Sequence, residues 1–526
     1  KINTQKKTIK KLLSVALTAS IITTSFASVG QASAKTIGED LNQTTQVVAK
    51  TQTVESQAEP VNEIVINDKE GFSLFMRNYS FWRSDTRVIL NNDIDMEGEK
   101  FEPIEEFSGE FDGCGHVVNN LVIEDRPDEL AFIKKMNSGS KFQNVTFEKY
   151  IIKMNLNVVF GRVKKLNYRL AGFVNINEGT ISNVKFSNSD IGRGDVFIEC
   201  YGLYTVLSGF VNENYGTIEN CNSRVDINNL SLYSGGFCYK NLGNIVSCES
   251  EGILNSFFAK DIDATSAGGF VYENKGIIKD SKSNVRVSCE ECVAGFCCKN
   301  KGKILTSKSE GNVSALAIST NNVCGGFVGE NSGMIKECSA TGIAVGEECV
   351  GGFAGVNKSY IIDCNALGKT TAKTKTHTAV AGGFVGKNEG GAITNSTAKG
   401  GAEASSNSGQ AKAGGFVGVN KSIITNSKSS GYVYLSAGTC YKDNGCGGFV
   451  GQNSKNGNID GCYAECKLET TNKKKGGGFV GEAKKKSMIK NSKCKSVVVA
   501  KKSKTKKAEF CYDKSKKAVI ENCKAE

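Results

Sequence analysis

Four groups of residues in this chain have types and spacings that could do chemistry. Glu290-Glu291 and Glu347-Glu348 are paired carboxylates, the residue type that cleaves glycosidic bonds when two acids flank one linkage. Cys289-x-x-Cys292, followed by Cys297-Cys298, offers thiolates to a zinc ion. Asp93, Asp95 and Asp112 supply the oxygen donors that calcium takes. Lysine runs at Lys473-Lys474-Lys475, Lys484-Lys485-Lys486 and Lys501-Lys502, the last with Lys504, Lys506 and Lys507, suit an anionic polymer. Other chemistries lack their residues. His116 and His377 are the two histidines, 261 positions apart, and no His-Glu-x-x-His occurs. One Trp, few Arg and no aromatic-basic interleaving argue against nucleic acid.

Each group also has a plainer reading, set by what positions it, and that is a repeat. Aligned on Phe, twelve copies run from Phe173 through Phe210, Phe237, Phe270, Phe296, Phe327, Phe353, Phe384, Phe416, Phe449 and Phe479 to Phe510. Gly precedes the Phe in eleven of the twelve, and Glu509 is the exception. Asn stands four residues after it in ten copies, including Asn331 and Asn357. An Ile follows eight to ten positions on, and three beyond it comes Cys or Ser, as at Cys338 and Cys364. A period of this size signals a solenoid, in which copies stack to share one core.

The short, Gly-bounded apolar run around Phe suits a brief strand. The Asn-x-Gly step after it is turn chemistry. A second strand carries the Ile and a third follows the later Gly. Period-3.6 patterning is absent across the repeats, and so is Pro after Pro127. Three strands and three turns per copy predict an all-β fold, a parallel β-helix whose rungs lie about 4.8 Å apart. Parallel crossovers predict a right-handed coil. The Asn column should bond to itself along the turn, leaving its amides unavailable to a ligand. The Phe column, with Phe327 and Phe353 in adjacent rungs, should stack as core.

The Gly-Gly-Phe-Val-Gly-x-Asn-x-Gly-x-Ile-x-x-Cys pattern resembles the GLUG repeat of secreted and surface bacterial proteins, over about residues 171–526. That repeat also occurs as accessory sequence in zinc metallopeptidases that cleave immunoglobulin A1. The resemblance implies a β-helical, exported, adhesive or scaffolding protein. Without a His-Glu-x-x-His, the peptidase activity is not carried over.

The repeat reinterprets the candidates. Cys297 shares its position with Cys238, Cys511, Val271 and Val328, so it reads as a ladder residue rather than a zinc ligand. Cys221, Cys248, Cys338, Cys364, Cys462 and Cys523 alternate with Ser281, Ser307, Ser396 and Ser427. Twenty Cys in an exported chain would ordinarily mean disulfides, but this interchange predicts mostly free, buried thiols. Asp93 and Asp112 read first as turn residues and His116 as a turn or ladder residue. Acids at rung corners are usually solvated.

Before the repeats, a basic stretch at Lys6–Lys11, an apolar run from Leu12 to Val29 and Ala32-Ser33-Ala34 read as a signal peptide over residues 1–34. Residues 35–62 read as a flexible linker. Residues 63–170 read as an N-terminal cap and first rungs, with a short helix starting near Asp68 that presents Phe72, Phe75, Met76 and Tyr79 on one face. Residues 124–170, with Phe132, Phe142 and Phe147, read as an irregular spacer of one or two poorly matching rungs. Intervals of 41 from Phe132 to Phe173 and of 37 from Phe173 to Phe210 predict loops near Lys164–Tyr168 and Gly192–Tyr204. Of a net charge of +12, residues 467–526 hold 19 Lys against six acids, so the rest of the rod is mildly acidic.

Function is therefore expected to be non-enzymatic: display or binding at the cell surface or in secretion, without a cofactor. The alternatives are a β-helical polysaccharide-active enzyme and an accessory stalk of a longer protein. The Lys-rich end, including Lys474, Lys485, Lys502 and Lys506, is expected either to guard an open sheet edge or to meet an anionic cell-wall polymer or a host surface glycan or protein.

Overall fold

The computed structural model describes residues 62–526 except 126–128, 155–166, 188–189, 192–203, 230–231, 257–263, 316–321, 438–443, 472–475, 501–502 and 508. The expected signal peptide, most of the expected linker and most of the two expected loops lie outside these residues.

The described chain begins with a strand at Asn62–Ile66, and the helix follows at Lys69–Arg77. Asp68 caps it, its side chain accepting the Gly71 N–H, and Arg77 sits in the last turn, where a cation suits the dipole. Phe72, Phe75 and Met76 are buried against the first rungs. Tyr79 does not join them. The helix has ended before it, and Tyr79 lies 69% exposed in a 3-10 turn, Tyr79–Trp82. Asn78 ends the one element and caps the next, which rotates Tyr79 off the apolar face.

Everything after this is a parallel β-helix. One rung illustrates it: Val323–Gly325, a corner at Gly326-Phe327, Val328–Asn331, Met334–Lys336, then Ser339–Ala340 and Ala344–Gly346. Each segment pairs in parallel with its counterpart one rung on, for example Val328↔Ala354, Ile335↔Ile361 and Ala340↔Ala366. Four sides, not three, make a rung. The extra one is the strand before the Phe, which alignment on Phe merges with the strand after it. Phe itself stands at the corner between the two. Both the Phe327 and Val328 N–H groups donate to the Phe353 carbonyl, each at 2.9 Å. The two glycines before it are steric requirements: a Cβ on Gly325 would meet the Val328 carbonyl, and one on Gly326 the Gly352 carbonyl.

The Phe column runs down the core. From Phe210 to Phe510, neighbouring rings are 4.7–4.9 Å apart and within 20° of parallel. That spacing equals the strand spacing, so the backbone sets the stack rather than any ring preference. The column is longer than twelve. Phe132 stacks on Phe173 at 5.5 Å and 14°, so the supposed spacer supplies a regular rung. The sheet passes through it unbroken, since Ile133–Met136 pairs with Ile104–Phe107 on one side and Val174–Asn177 on the other.

At the far end one pairing departs from the pattern. Val497–Ala500 meets Ser503–Lys507 antiparallel, so Lys506 lies on a hairpin strand and not in an inter-strand loop.

Candidate functional site

Ten buried asparagines form a single hydrogen-bonded file. Asn177 Nδ2 donates to Asn214 Oδ1 at 2.8 Å, and every member down to Asn420 donates to the next in the same sense, ending on Asn453. Asn331 Oδ1 also receives the Gly333 N–H and so shapes its own turn. In the last two rungs the position holds Ala483 and Lys514.

The Cys/Ser column is more than small core. Cys338 N–H donates to Cys364 Sγ at 3.4 Å, and Cys364 N–H to Ser396 Oγ at 3.2 Å. Each side chain also donates within its own rung, Cys338 Sγ to the Lys336 carbonyl and Ser396 Oγ to the Thr394 carbonyl. From Cys221 to Cys523 the position holds a small group that both gives and takes a hydrogen bond, which is why Cys and Ser interchange there; Val184, one rung before Cys221, only donates its N–H to the Cys221 sulfur. Burial pushes the Cys462 thiol up to about 12. The Cys364 thiol is raised well above its ordinary value by burial and then by its bond with Cys338. All eighteen described cysteines are free thiols.

Sequence reasoning missed a further column. The residue before each Cys or Ser adopts positive φ: Glu337 at 57°, Asp363 at 56°, Asn395 at 51° and Asn426 at 49°. Asn and Asp tolerate that region best among side-chain-bearing residues. Their frequency before the Cys or Ser was the available signal. Toward the N-terminus this column borders a shallow depression of about 540 Å³ lined by Asp112, Cys114, Asn144, Asn183 and Lys185. Asn183 donates to Asn144 at 2.8 Å, and Asn144 to Asp112 at 3.0 Å. Burial works against the Asp112 carboxylate, yet bonds from Asn144, the Cys114 N–H and Gln143, with Arg87 nearby, hold it below the usual range. Cys114 is exposed, but burial of its sulfur and the Asp112 charge raise its pKa, so it is no activated nucleophile.

The remaining candidates disperse. Asp93 Oδ1 accepts the Val117 N–H and faces His116 Nδ1, both at 2.9 Å; Asp95 Oδ1 accepts from the Glu97 N–H and from Asn120. These are turn bonds. Among the described residues no three His, Cys, Asp or Glu side chains converge to hold a metal. Glu290 is buried, with Oε2 accepting the Thr265 N–H at 3.2 Å, while Glu291 beside it is exposed. Glu348 faces His377 Nδ1 at 3.7 Å.

Lys474 and Lys502 lie outside the described residues, and so does the Lys506 side chain. Lys485 is exposed on the turn after the Asn column. That turn has two residues in the Phe327 rung, between Asn331 and Met334, and four in the last three rungs, as between Asn453 and Asn458. The added residues are largely lysine. Lys455, then Lys485 and Lys486, then Lys516 and Lys517 stack at successive rungs, all exposed, with Lys486 N–H donating to the Lys517 carbonyl at 3.0 Å. None has an acidic partner within 4.0 Å among the described residues. On the earlier rungs this turn is neutralised: Lys301 pairs with Glu273 at 2.6 Å, and Lys421 with Glu389 at 3.0 Å.

The fold and its internal ladders define a parallel β-solenoid. The family model described as the GLUG motif matches residues 378–402. The chain thus carries a GLUG motif, and the same residue pattern recurs around Phe327, Phe353 and Phe416. Among solved structures it is similar to a candidate immunoglobulin A1 protease from Bacteroides ovatus, at 15% identity over 53% of this chain and 74% of that one, with a TM-score of 0.31. No curated protein matches the sequence significantly. Among the described residues, no helix is long and apolar enough to cross a membrane.

Proposed function

We propose that this is a non-enzymatic, exported, surface-associated scaffold whose basic turn stripe attaches it to an anionic polymer. The observation that carries the reading is the unneutralised file Lys455, Lys485, Lys486, Lys516 and Lys517, exposed at adjacent rungs. A column of cations at the rung repeat of about 4.8 Å suits a chain of regularly spaced phosphates or sulfates. The non-enzymatic half is supported by how the polar groups are used. The Asn amides bond each other, the Cys and Ser columns bond backbone, and of the Glu290-Glu291 pair one member is buried and the other exposed.

The test is retention on isolated cell walls and on heparin. The chain is compared with Lys485→Glu/Lys486→Glu/Lys516→Glu/Lys517→Glu, all exposed turn positions. Attachment should fall sharply with salt, since the Debye length shrinks from about 10 Å at 0.1 M to about 3 Å at 1 M. The variant should lose most of the low-salt retention while keeping its β circular dichroism. Equal retention of both proteins removes the attachment role and leaves the lysines as guards against end-to-end sheet pairing.

A further inference from the structure

One rung carries two cysteines that the ladders do not explain. Cys292 lies four residues before Phe296 and Cys298 two after it, so they face each other across the outside of the Phe corner. Strand pairing between rungs skips the second position. Cys297 pairs with Val328 and Lys299 with Glu330 in constant register, and Cys298 and Gly329 between them are not paired. The Cys298 sulfur meets that of Cys292 on the strand before the Phe. Along this outer column the residue is Tyr239, then Tyr272, then Cys298, then Gly329, Gly355 and Gly386. The tyrosines stack at 5.4 Å, and Tyr233 packs on Tyr272 at 5.0 Å. In the rung after Cys298 only glycine fits, for a Cβ on Gly329 would stand 2.6 Å from Cys292 Sγ.

Cys292 and Cys298 are 4% and 0% exposed, and with Tyr272 they form a small apolar cluster apart from the main core. Their sulfurs lie 2.6 Å apart, inside the contact distance of two thiols and near that of a bond. Cys349 provides an internal comparison. It holds the same position as Cys292 in the Phe353 rung, but Gly355 stands across the corner, and the Cys349 thiol donates to the Gly355 carbonyl at 3.2 Å instead.

We propose that Cys292 and Cys298 are the site of a disulfide that ties the two strands flanking Phe296 together across the corner. Each thiol loses a hydrogen and the Sγ–Sγ bond forms. Two electrons and two protons pass to a disulfide donor such as oxidised glutathione, which leaves as two thiols. Burial and the bond to Cys292 raise the Cys298 thiol well above its ordinary value, so exchange in the folded state is slow and the bond forms during folding. The other ladder thiols stay reduced because their sulfurs are occupied by backbone groups one rung away, as at Cys338 and Cys364.

The experiment refolds the full chain in a glutathione redox buffer, quenches with acid, denatures, alkylates and digests. The tryptic peptide Val287–Lys299 holds Cys289, Cys292, Cys297 and Cys298. The expected product carries two alkyl groups in place of four and is lighter by two hydrogens. Cleavage after Glu291 then places one alkyl group on Cys289, and fragment sequencing of the Cys292–Lys299 piece after reduction places the other on Cys297. Cys349 should be alkylated throughout, and in Cys298→Ser the Cys292 thiol should become alkylated as Cys349 is. Four alkyl groups on the wild-type peptide, a link involving Cys289 or Cys297, or glutathione mixed disulfides in its place would overturn the proposal.

Discussion

Asn331 and Asn357 lie one rung apart, and the Nδ2 of the first donates to the Oδ1 of the second at 2.9 Å in a site with no access to water. Because every link in the file points the same way, removing one member strands a donor above and an acceptor below. Asn331→Ala leaves the Asn300 amide and the Asn357 carbonyl oxygen each short of a partner. The expected cost is about 1–3 kcal/mol per orphaned group. Long repeat arrays need not unfold in one step, so hydrogen exchange at Gly333, whose N–H bonds Asn331, is the local readout. Unchanged protection there would mean that the amide file adds nothing to the turn.

Phe353 stacks between Phe327 at 4.8 Å and Phe384 at 4.9 Å and is fully buried. Phe353→Ala should cost about 3–5 kcal/mol. Phe510 has one stacking neighbour, Phe479, and is only half-buried, so Phe510→Ala should cost clearly less. Urea unfolding of the two variants checks the ordering, and equal losses would contradict a column whose strength comes from neighbours on both sides.

Buried thiols make stability fall in alkali. The Cys462 thiol goes from an ordinary 9.0 to about 12 in the folded chain. The unfolded chain releases that proton first, so the contribution is complete below about pH 9 and declines up to about pH 12, by about 1.4 kcal/mol per pH unit per thiol. Cys462→Ser keeps a group that serves the same role at Ser427, and it removes the titration. The variant should match the wild type near pH 7 and be the more stable of the two near pH 10.5. Parallel pH profiles of the denaturation midpoint would refute this.

Chelation should matter little. The carboxylates of Asp93, Asp95 and Asp112 already accept N–H groups from Val117, Glu97 and Cys114. EDTA is therefore expected to leave the thermal midpoint unchanged within about 1 °C, since a site binding a metal tightly would shift it by mass action. A fall of several degrees, reversed by calcium, would assign these aspartates to a metal.

The sequence by itself determined the repeat, and with it the stacked parallel architecture, the Phe and Asn columns and the neutral, buried character of most thiols. These follow from periodicity, because a residue recurring once per rung must meet its own copy one strand spacing away. Tertiary structure decided what periodicity is blind to. It set the fourth side of the rung, because Gly-Gly-Phe bends where a linear pattern reads straight on. It admitted Phe132 to the column, because Ile133–Met136 pairs with the rungs on both sides whatever the interval to Phe173. It took Tyr79 off the helix face, because a cap at Asn78 ends the turn. It stacked Lys455, Lys485, Lys486, Lys516 and Lys517 on one turn, because the register of successive rungs decides which lysines align and the acids within reach decide which of them are paired. And it set Cys292 against Cys298, six positions apart in the chain but on two strands of a corner, because the turn at Gly295-Phe296 brings those strands side by side where a linear pattern reads straight on.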